Sequence, residues 1–523
     1  MEPEYNAITY TWGRWRLKDE PCEKPEVTAI PITGTAWNIP RVDPMHFTAQ
    51  QLEQVLTKVS QLKPSDKLLG GGIKPVDFVW LDVACIDQRA LEPRSAAEIG
   101  RQATIFKGAQ AVCVWLASHS IESLQRGIES ISVSPRSTPP GSDEDAAAIQ
   151  QITHLLSDPW FSSLWTLQEA FLRYDAMFLD QHGELLEYPP STNLSGNPSL
   201  QDLFEYGVQW CDGCTQEETD SPTSKMYLAA KELIEKRGLK ALASFDPMAT
   251  YAAASQRTTT FPEDRIYGIQ QIFGFRFGKS ALGVDVGRVF TLTELEDQLG
   301  EALMKTFPAK SQFHVFTQHV PQDQRWRMHA CSVIPNANRK VHSIWESFEH
   351  DEPCCSFSVQ NSEKGSKAVH WQGKTAYLSD LLTACEHVAR EDVFGELAGN
   401  QDAFSVMLDV ADELLEFQQY QQSDYRLIPK GLQQKVIREW LVGHFDKNSL
   451  QVLLLGPLTG RRYAYMRGLI MLDCGHGEWT RLGVCQWEVT DLCVNNIKSQ
   501  QFQFLTGEGS GWSKSEGIFG YIN

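Results

Sequence analysis

No stretch of about 18 apolar residues, the length an apolar helix needs to cross a bilayer, occurs in the sequence, so no membrane span is expected. The first residues, Met-Glu-Pro-Glu-Tyr-Asn, lack a basic region followed by an apolar one, so no secretory leader is expected either. Positive charge is scarce. With 47 Lys and Arg against 66 Asp and Glu, the net charge is −19 at pH 7. That balance argues against a nucleic-acid or anionic-membrane surface, because a polyphosphate needs clustered cations to displace its counterions. A small anion needs only a few cations, and Arg14, Arg16 and Lys18 lie close together, although scattered solvated charge is the plainer reading of that trio.

Metal and nucleotide signatures are missing as well. The 13 histidines include no H-E-x-x-H pair, and Cys211-Asp-Gly-Cys214 has no second pair at zinc-ligand spacing, so no metal is expected. Gly274-Phe-Arg-Phe-Gly278-Lys-Ser280 has three residues between its glycines where a phosphate loop has four, and it follows a helix instead of a strand. Gly507 to Gly511 precedes no helix and reads as a loop. A cytoplasmic location is expected, with the 12 cysteines as reduced thiols; Cys85, Cys113 and Cys485 are expected as small apolar core residues.

What is present is ordinary globular composition, 42% hydrophobic and 22% charged. Single cores stop growing near about 250 to 300 residues, so this length implies two or three units. The first half alternates strand and helix signals. Asn6 to Tyr10 reads as a strand; Thr48 opens a helix as a capping box with Gln51, with Phe47 placed to staple onto Leu52. After Gly70-Gly71-Gly72, the apolar run Phe78 to Ile86 reads as a strand covered on both faces. A helix capped at Ser95 with Glu98 follows to about Ala109, and Ala111 to Leu116 is a second buried strand. Asp158-Pro159 announces a helix running to about Arg173, before a fourth strand over Asp175 to Asp180. The expectation is a flavodoxin-like, doubly wound parallel sheet over 1–182. A helical extension over 183–310 should follow, including Lys225 to Glu235 and Pro262 to Phe273. An α+β region, read as regulatory, should occupy 311–523, with a helical middle near Asp402 to Gln418. Its hairpin should join Gly468–Asp473 to Leu482–Trp487 through Gly475-His-Gly477.

Ligands of open parallel sheets bind beyond the carboxyl ends of the strands. The residues there are Tyr10 to Gly13, Asp82 to Gln88 and Trp115-Leu116. The helix carrying Trp165-Thr-Leu-Gln-Glu169 is a further candidate. At helical spacing Phe161, Trp165, Glu169 and Leu172 share one face, which puts a carboxyl group in an apolar stripe. Burial disfavours its charged form. Such a glutamate is either a buried structural acceptor or a tuned acid or base.

Five segments then resemble, in order, the motifs of the fungal heterokaryon-incompatibility (HET) domain. Tyr5-Asn-Ala-Ile-Thr-Tyr-Thr-Trp-Gly13 is similar to its opening Y-x-A-L-S-Y-x-W-G. Val79-Trp-Leu-Asp-Val-Ala-Cys-Ile-Asp-Gln88 is similar to W-I-D-A-L-C-I-N-Q, with Asp87 for the usual asparagine. Gln102, Ile105, Ala109 and Val114-Trp-Leu116 follow the next pattern, with Phe106 and Ala117 departing from it. Trp160 to Glu169 resembles W-F-x-R-x-W-x-x-Q-E, with Ser163 for the arginine, and Asp264-Arg-Ile-Tyr-Gly-Ile269 resembles D-R-x-Y-A-L.

The resemblance implies more than a fold. The HET family is distantly similar to TIR domains, whose enzymatic members carry a glutamate in W-x-x-x-E and cleave the nicotinamide–ribose bond of NAD. Trp165 to Glu169 has that spacing, so Glu169 becomes the catalytic candidate, with NAD as substrate and no cofactor required. Trp12 or Trp165 would stack on a ring, while backbone amides near Trp12-Gly13 with Arg14 would meet the pyrophosphate; Tyr10, Asp82 and Asp87 complete the ligand-binding set. Core packing is the competing reading of each tryptophan. The implied role is a cell-death or allorecognition effector. The alternative is a non-catalytic signalling module working by self-association or by binding a protein partner.

Overall fold

Asn6, Ala7, Ile8 and Thr9 are all buried, which a strand achieves only when both faces of its sheet are covered. In the computed structural model this strand, β1 (Tyr5–Thr9), lies inside a parallel sheet. The structure describes residues 3–19, 21–62, 75–87, 89, 93–133, 143–188, 196–213, 222–284, 288–335, 353–361, 367–390, 406–410, 430–459, 464–489 and 500–519. The chain packs as two units, Met1–Leu295 and Glu296–Asn523. Gly70 to Gly72, Gln88 and Cys214 lie outside the described residues, as does most of the Ser/Pro-rich stretch at 134–142.

In the first unit Thr48 caps α1 (Ala49–Ser60) through the expected reciprocal box with Gln51. Leu52, Val55 and Val59 face inward and cluster with Phe47, Ile8 and Trp115. Buried Asn6 is fully used, donating to Val59 O at 2.7 Å and accepting from Ala111 N at 3.1 Å, as a polar group at that depth must be.

The run after residue 78 departs from expectation. Only Phe78–Trp80 form β2, an edge strand of exposed and half-buried residues, and the chain then turns into a one-turn helix, α2 (Asp82–Cys85). Asp82 at its start favours that turn, since a carboxylate suits a helix N-terminus. Cys85 is consequently exposed, whereas Cys113 and Cys485 are buried. The next helix is also divided, into α3 (Pro93–Ile99) and α4 (Gln102–Gly108). Ser95 lies inside α3, and Glu98 bonds Arg101 at 3.1 Å instead of closing a capping box. Strand β3 (Val112–Trp115) is wholly buried. Two helices, α5 (Ile121–Ser132) and α6 (Asp143–Leu156), lead to the Asp158-Pro159 signal.

That signal caps only a 3₁₀ turn over Pro159–Ser162, with Asp158 Oδ1 accepting from Trp160 N at 2.8 Å. Ser163 is extended because it pairs with Thr258: Thr258 N donates to Ser162 O at 2.8 Å and Leu164 N to Thr258 O at 3.1 Å. Helix α7 (Leu164–Leu172) therefore starts after the break, and Phe161 does not share its face with Trp165 and Glu169. Strand β4 (Met177–Leu179) completes a sheet of order β2-β1-β3-β4, every neighbour parallel. Helices α8 (Leu200–Gly213), α9 (Pro222–Lys236), α10 (Leu239–Ala243) and α11 (Pro247–Ala254) follow. The expected helix over Pro262 to Phe273 is instead the single turn α12 (Asp264–Tyr267) and a 3₁₀ turn, Gln270–Phe273.

The second unit holds a short pair, β5 (Val315–Phe316) and β6 (Ser332–Val333), and a mixed seven-stranded sheet. Its strands are β7 (Ser356–Asn361), β8 (Lys367–Tyr377), β9 (Met407–Val410), β10 (Leu450–Thr459), β11 (Ala464–Gly475), β12 (Glu478–Glu488) and β13 (Ser513–Phe519). The hairpin of β11 and β12 turns at Gly475-His476-Gly477 as expected, and all three residues have positive φ. Where a helical middle was expected, β9 is a strand paired with β12; residues 401–405 and 411–429 lie outside the described residues.

Candidate functional site

In an open parallel sheet the crevice opens where successive crossovers leave a strand in opposite directions. Here that strand is β1, with β2 on one side and β3 on the other. Three segments converge at its carboxyl end: Thr9 to Trp12 leaving β1, Asp82 at the head of α2, and Glu169 in the middle of α7.

Glu169 is 9% exposed. The Thr9 hydroxyl donates to its Oε2, and the Trp160 indole donates to the same Thr9 oxygen at 2.8 Å. The other carboxyl oxygen has no protein donor among the described residues, yet it is not sealed from solvent. Burial, reinforced by the neighbouring Asp82 charge and opposed by the Thr9 bond, pushes the Glu169 carboxyl up to about 8. Near neutral pH it is therefore mostly a neutral acid.

Asp82 is fixed from two sides, by the Trp12 indole N–H at 2.7 Å on Oδ2 and by the Val83 N–H at 2.6 Å on Oδ1. Burial still raises its carboxyl above the ordinary range, against those donors. The buried Tyr10 hydroxyl lies beside Asp82, and burial plus the two carboxyl groups push it well above its ordinary value. Tyr10, Trp12, Asp82 and Glu169 thus form one electrostatic cluster. A buried acid whose ionisation is further hindered by a neighbouring carboxyl, as Glu169 is by Asp82, is a recurrent functional arrangement.

The remaining sequence candidates sit elsewhere. Asp87 is buried and held by Arg89, whose Nη2 donates to it at 2.6 Å. The Trp165 indole is directed to Asp264. Gly13 is exposed, begins a 3₁₀ turn and would meet nothing if it carried a side chain, so glycine is not required there. Arg14 donates to Ser162 Oγ at 2.9 Å and to Thr258 Oγ1. Sequence reasoning missed Thr9 and the Trp160 indole as the groups that orient Glu169. Both fall within the quoted motifs, but a threonine in a strand carries no signal of what its hydroxyl will meet. Two of the motif glutamines bond within the fold: buried Gln168 donates to Gln102 Oε1 at 2.8 Å and accepts from Gln271 N at 3.0 Å.

Parallel strands with a partly open acid pair at their carboxyl ends define an α/β protein with a strand-end carboxylate site. Residues 5–169 match the family model described as Heterokaryon incompatibility protein (HET), a match whose last residue is Glu169. Comparison with curated proteins and with solved structures gave no match. Among the described residues no helix is long and apolar enough to cross a membrane.

Proposed function

We propose that the heterokaryon-incompatibility domain hydrolyses NAD at the nicotinamide–ribose bond through a TIR-like site, and that the protein acts as a cell-death or allorecognition effector in the cytoplasm. The observation that carries this reading is the half-used carboxyl of Glu169: one oxygen is held by Thr9, the other has no protein donor among the described residues, and the charge of Asp82, itself held by Trp12, acts on the group. The Thr9 bond uses one oxygen and leaves the second available to a ligand. The strand order β2-β1-β3-β4 also agrees with a flavodoxin-like layer.

The chemistry suits such a group. When the bond from ribose C1′ to the pyridinium nitrogen breaks, its electron pair goes to the ring, and nicotinamide leaves neutral without needing an acid. Positive charge then develops on the ribosyl centre, where ionised Glu169 stabilises it. A water oxygen attacks C1′ and gives its proton to a carboxylate. The cationic ligand itself favours ionisation of Glu169, since an opposite charge nearby stabilises the anion. Purified full-length protein incubated with NAD should release nicotinamide, and Glu169→Gln should abolish the release. Absence of release by the wild type at high protein concentration, or full activity in a folded Glu169→Gln variant, would sink the proposal.

A second reading, a non-catalytic module that self-associates or binds a protein partner, draws support from β2, an edge strand whose Phe78 is 55% exposed. Open edges pair readily with other strands. Toxicity that survives Glu169→Gln but is lost with Phe78→Lys would favour it.

A further inference from the structure

In a chain with so large an acidic excess, three arginines gather in the first unit without an acid between them. Arg257 is 3% exposed, and its guanidinium donates to the carbonyls of Ser163 at 3.0 Å and Arg237 at 2.6 Å and to Thr166 Oγ1 at 3.2 Å. Its buried Nε has no acceptor. Arg237 spends Nε on Leu156 O at 3.0 Å, which leaves its terminal nitrogens to solvent. Arg14 reaches the same turn from the end of β1, over the Ser162 and Thr258 hydroxyls. Among the described residues the hydrogen-bond partners of all three are carbonyl or hydroxyl oxygens, with no carboxylate among them. Arg257 falls to about 9 through burial first and then through Arg237 and Arg14, and Arg14 is lowered by burial and then by Arg237.

Like charges brought together in a low-dielectric setting cost free energy, and the usual compensation is an anion. Guanidinium groups are the side chains best suited to phosphate, through paired N–H donors. The position also fits. The Trp160 carbonyl lies 3.4 Å from Arg257 Nη1, while the indole of the same residue holds Thr9 and through it Glu169. Only one tryptophan separates the cationic cluster from the candidate carboxyl. Arg237 and Arg257 both lie beyond the matched segment 5–169.

We propose that Arg14, Arg237 and Arg257 form a phosphate subsite, so that the helical segment after the sheet supplies half of the grip on a phosphate-bearing ligand whose other end reaches Glu169. This deepens the nucleotide reading and rests on it for the identity of the ligand, but not for the binding of phosphate itself. Arg14 and Arg237 make the direct contacts; Arg257 behind them adds charge and holds the turn.

The test uses inorganic pyrophosphate and ADP-ribose as probes on the full chain, by calorimetry at low salt. Wild-type protein should bind pyrophosphate saturably. Arg237→Gln and Arg14→Gln, each first shown to melt as the wild type does, should each weaken binding at least tenfold, while Glu169→Gln should bind pyrophosphate unchanged. Absence of saturable pyrophosphate binding, or wild-type affinity in both arginine variants, overturns the subsite. Tighter binding of ADP-ribose than of pyrophosphate, lost with Arg237→Gln, identifies the nucleotide as the source of the phosphate; equal binding of the two would refute that assignment. Because none of these measurements depends on turnover, a chain that binds pyrophosphate but releases no nicotinamide keeps the subsite and loses the hydrolase.

Discussion

Replacing Glu169 with glutamine should make the protein more stable, and increasingly so as pH rises. The carboxyl ordinarily titrates near 4.5 and is raised to about 8 in the fold. Between those values the folded state holds a proton that the unfolded chain has lost, so stability falls as pH increases. The sign is opposite to that of a salt-bridged acid. At about 1.4 kcal/mol per unit of displacement, carrying the group in the fold costs about 3 kcal/mol at pH 7, where it stays protonated, and about 5 kcal/mol above pH 8, where it ionises in place. Glutamine keeps the acceptor for Thr9 and carries no charge at any pH, so it escapes the whole cost. Thermal melts of the full chain and of Glu169→Gln should be compared at pH 5, 6, 7 and 8. The difference should be below about 1 kcal/mol at pH 5 and grow to about 3 kcal/mol by pH 7, on the order of 6 °C for a unit of this size. A pH-independent difference, or a variant less stable than the wild type at pH 8, would refute the burial argument. Such a cost is what the proposed catalytic role would offset.

Three further outcomes follow from the geometry. Since the free protein carries Glu169 mostly protonated below about 8, kcat/KM for nicotinamide release should climb nearly tenfold per pH unit from pH 6 to 7.5 and level above 8; a flat profile would remove Glu169 as the ionised participant. Trp12→Phe deletes the indole donor to Asp82, leaving a partly buried carboxylate short of a bond; the loss should be about 1–3 kcal/mol in a urea titration, and an unchanged midpoint would contradict it. In the second unit a Cβ at Gly483 would collide with the backbone of Asp409 and Val410 on β9, so Gly483→Ala should separate that strand and cost several kcal/mol, read as lost amide protection over Met407–Val410.

Local rules were legible where the deciding partner is near in sequence. Thr48 and Gln51 meet across one turn, and glycine on both sides of His476 specifies the hairpin between β11 and β12. The rules failed where a distant segment intervened. Asp158-Pro159 reads as the start of a long helix and does cap a turn, but the pairing of Ser163 with Thr258, 95 positions away, interrupts it. The apolar run after Phe78 reads as a buried strand, yet at the sheet edge the chain is free to curl at Asp82. Of the site, the acids could be found from their place at strand ends and on a helix. Thr9, Trp160 and the arginines at 237 and 257 could not, because each acquires its neighbour only on folding.

The short ladder at Ser163 sets a practical limit on dividing the protein. A fragment that stopped at Glu169, where the family resemblance ends, or at residue 182, where the fourth strand has passed, would leave Leu164 N without its acceptor. It would also strip the carbonyls of Trp160 and Ser163 of the Arg257 guanidinium. The turn that launches the Glu169 helix is thus clamped from outside the recognisable domain. The smallest piece able to hold the carboxyl group in place extends at least through Thr258.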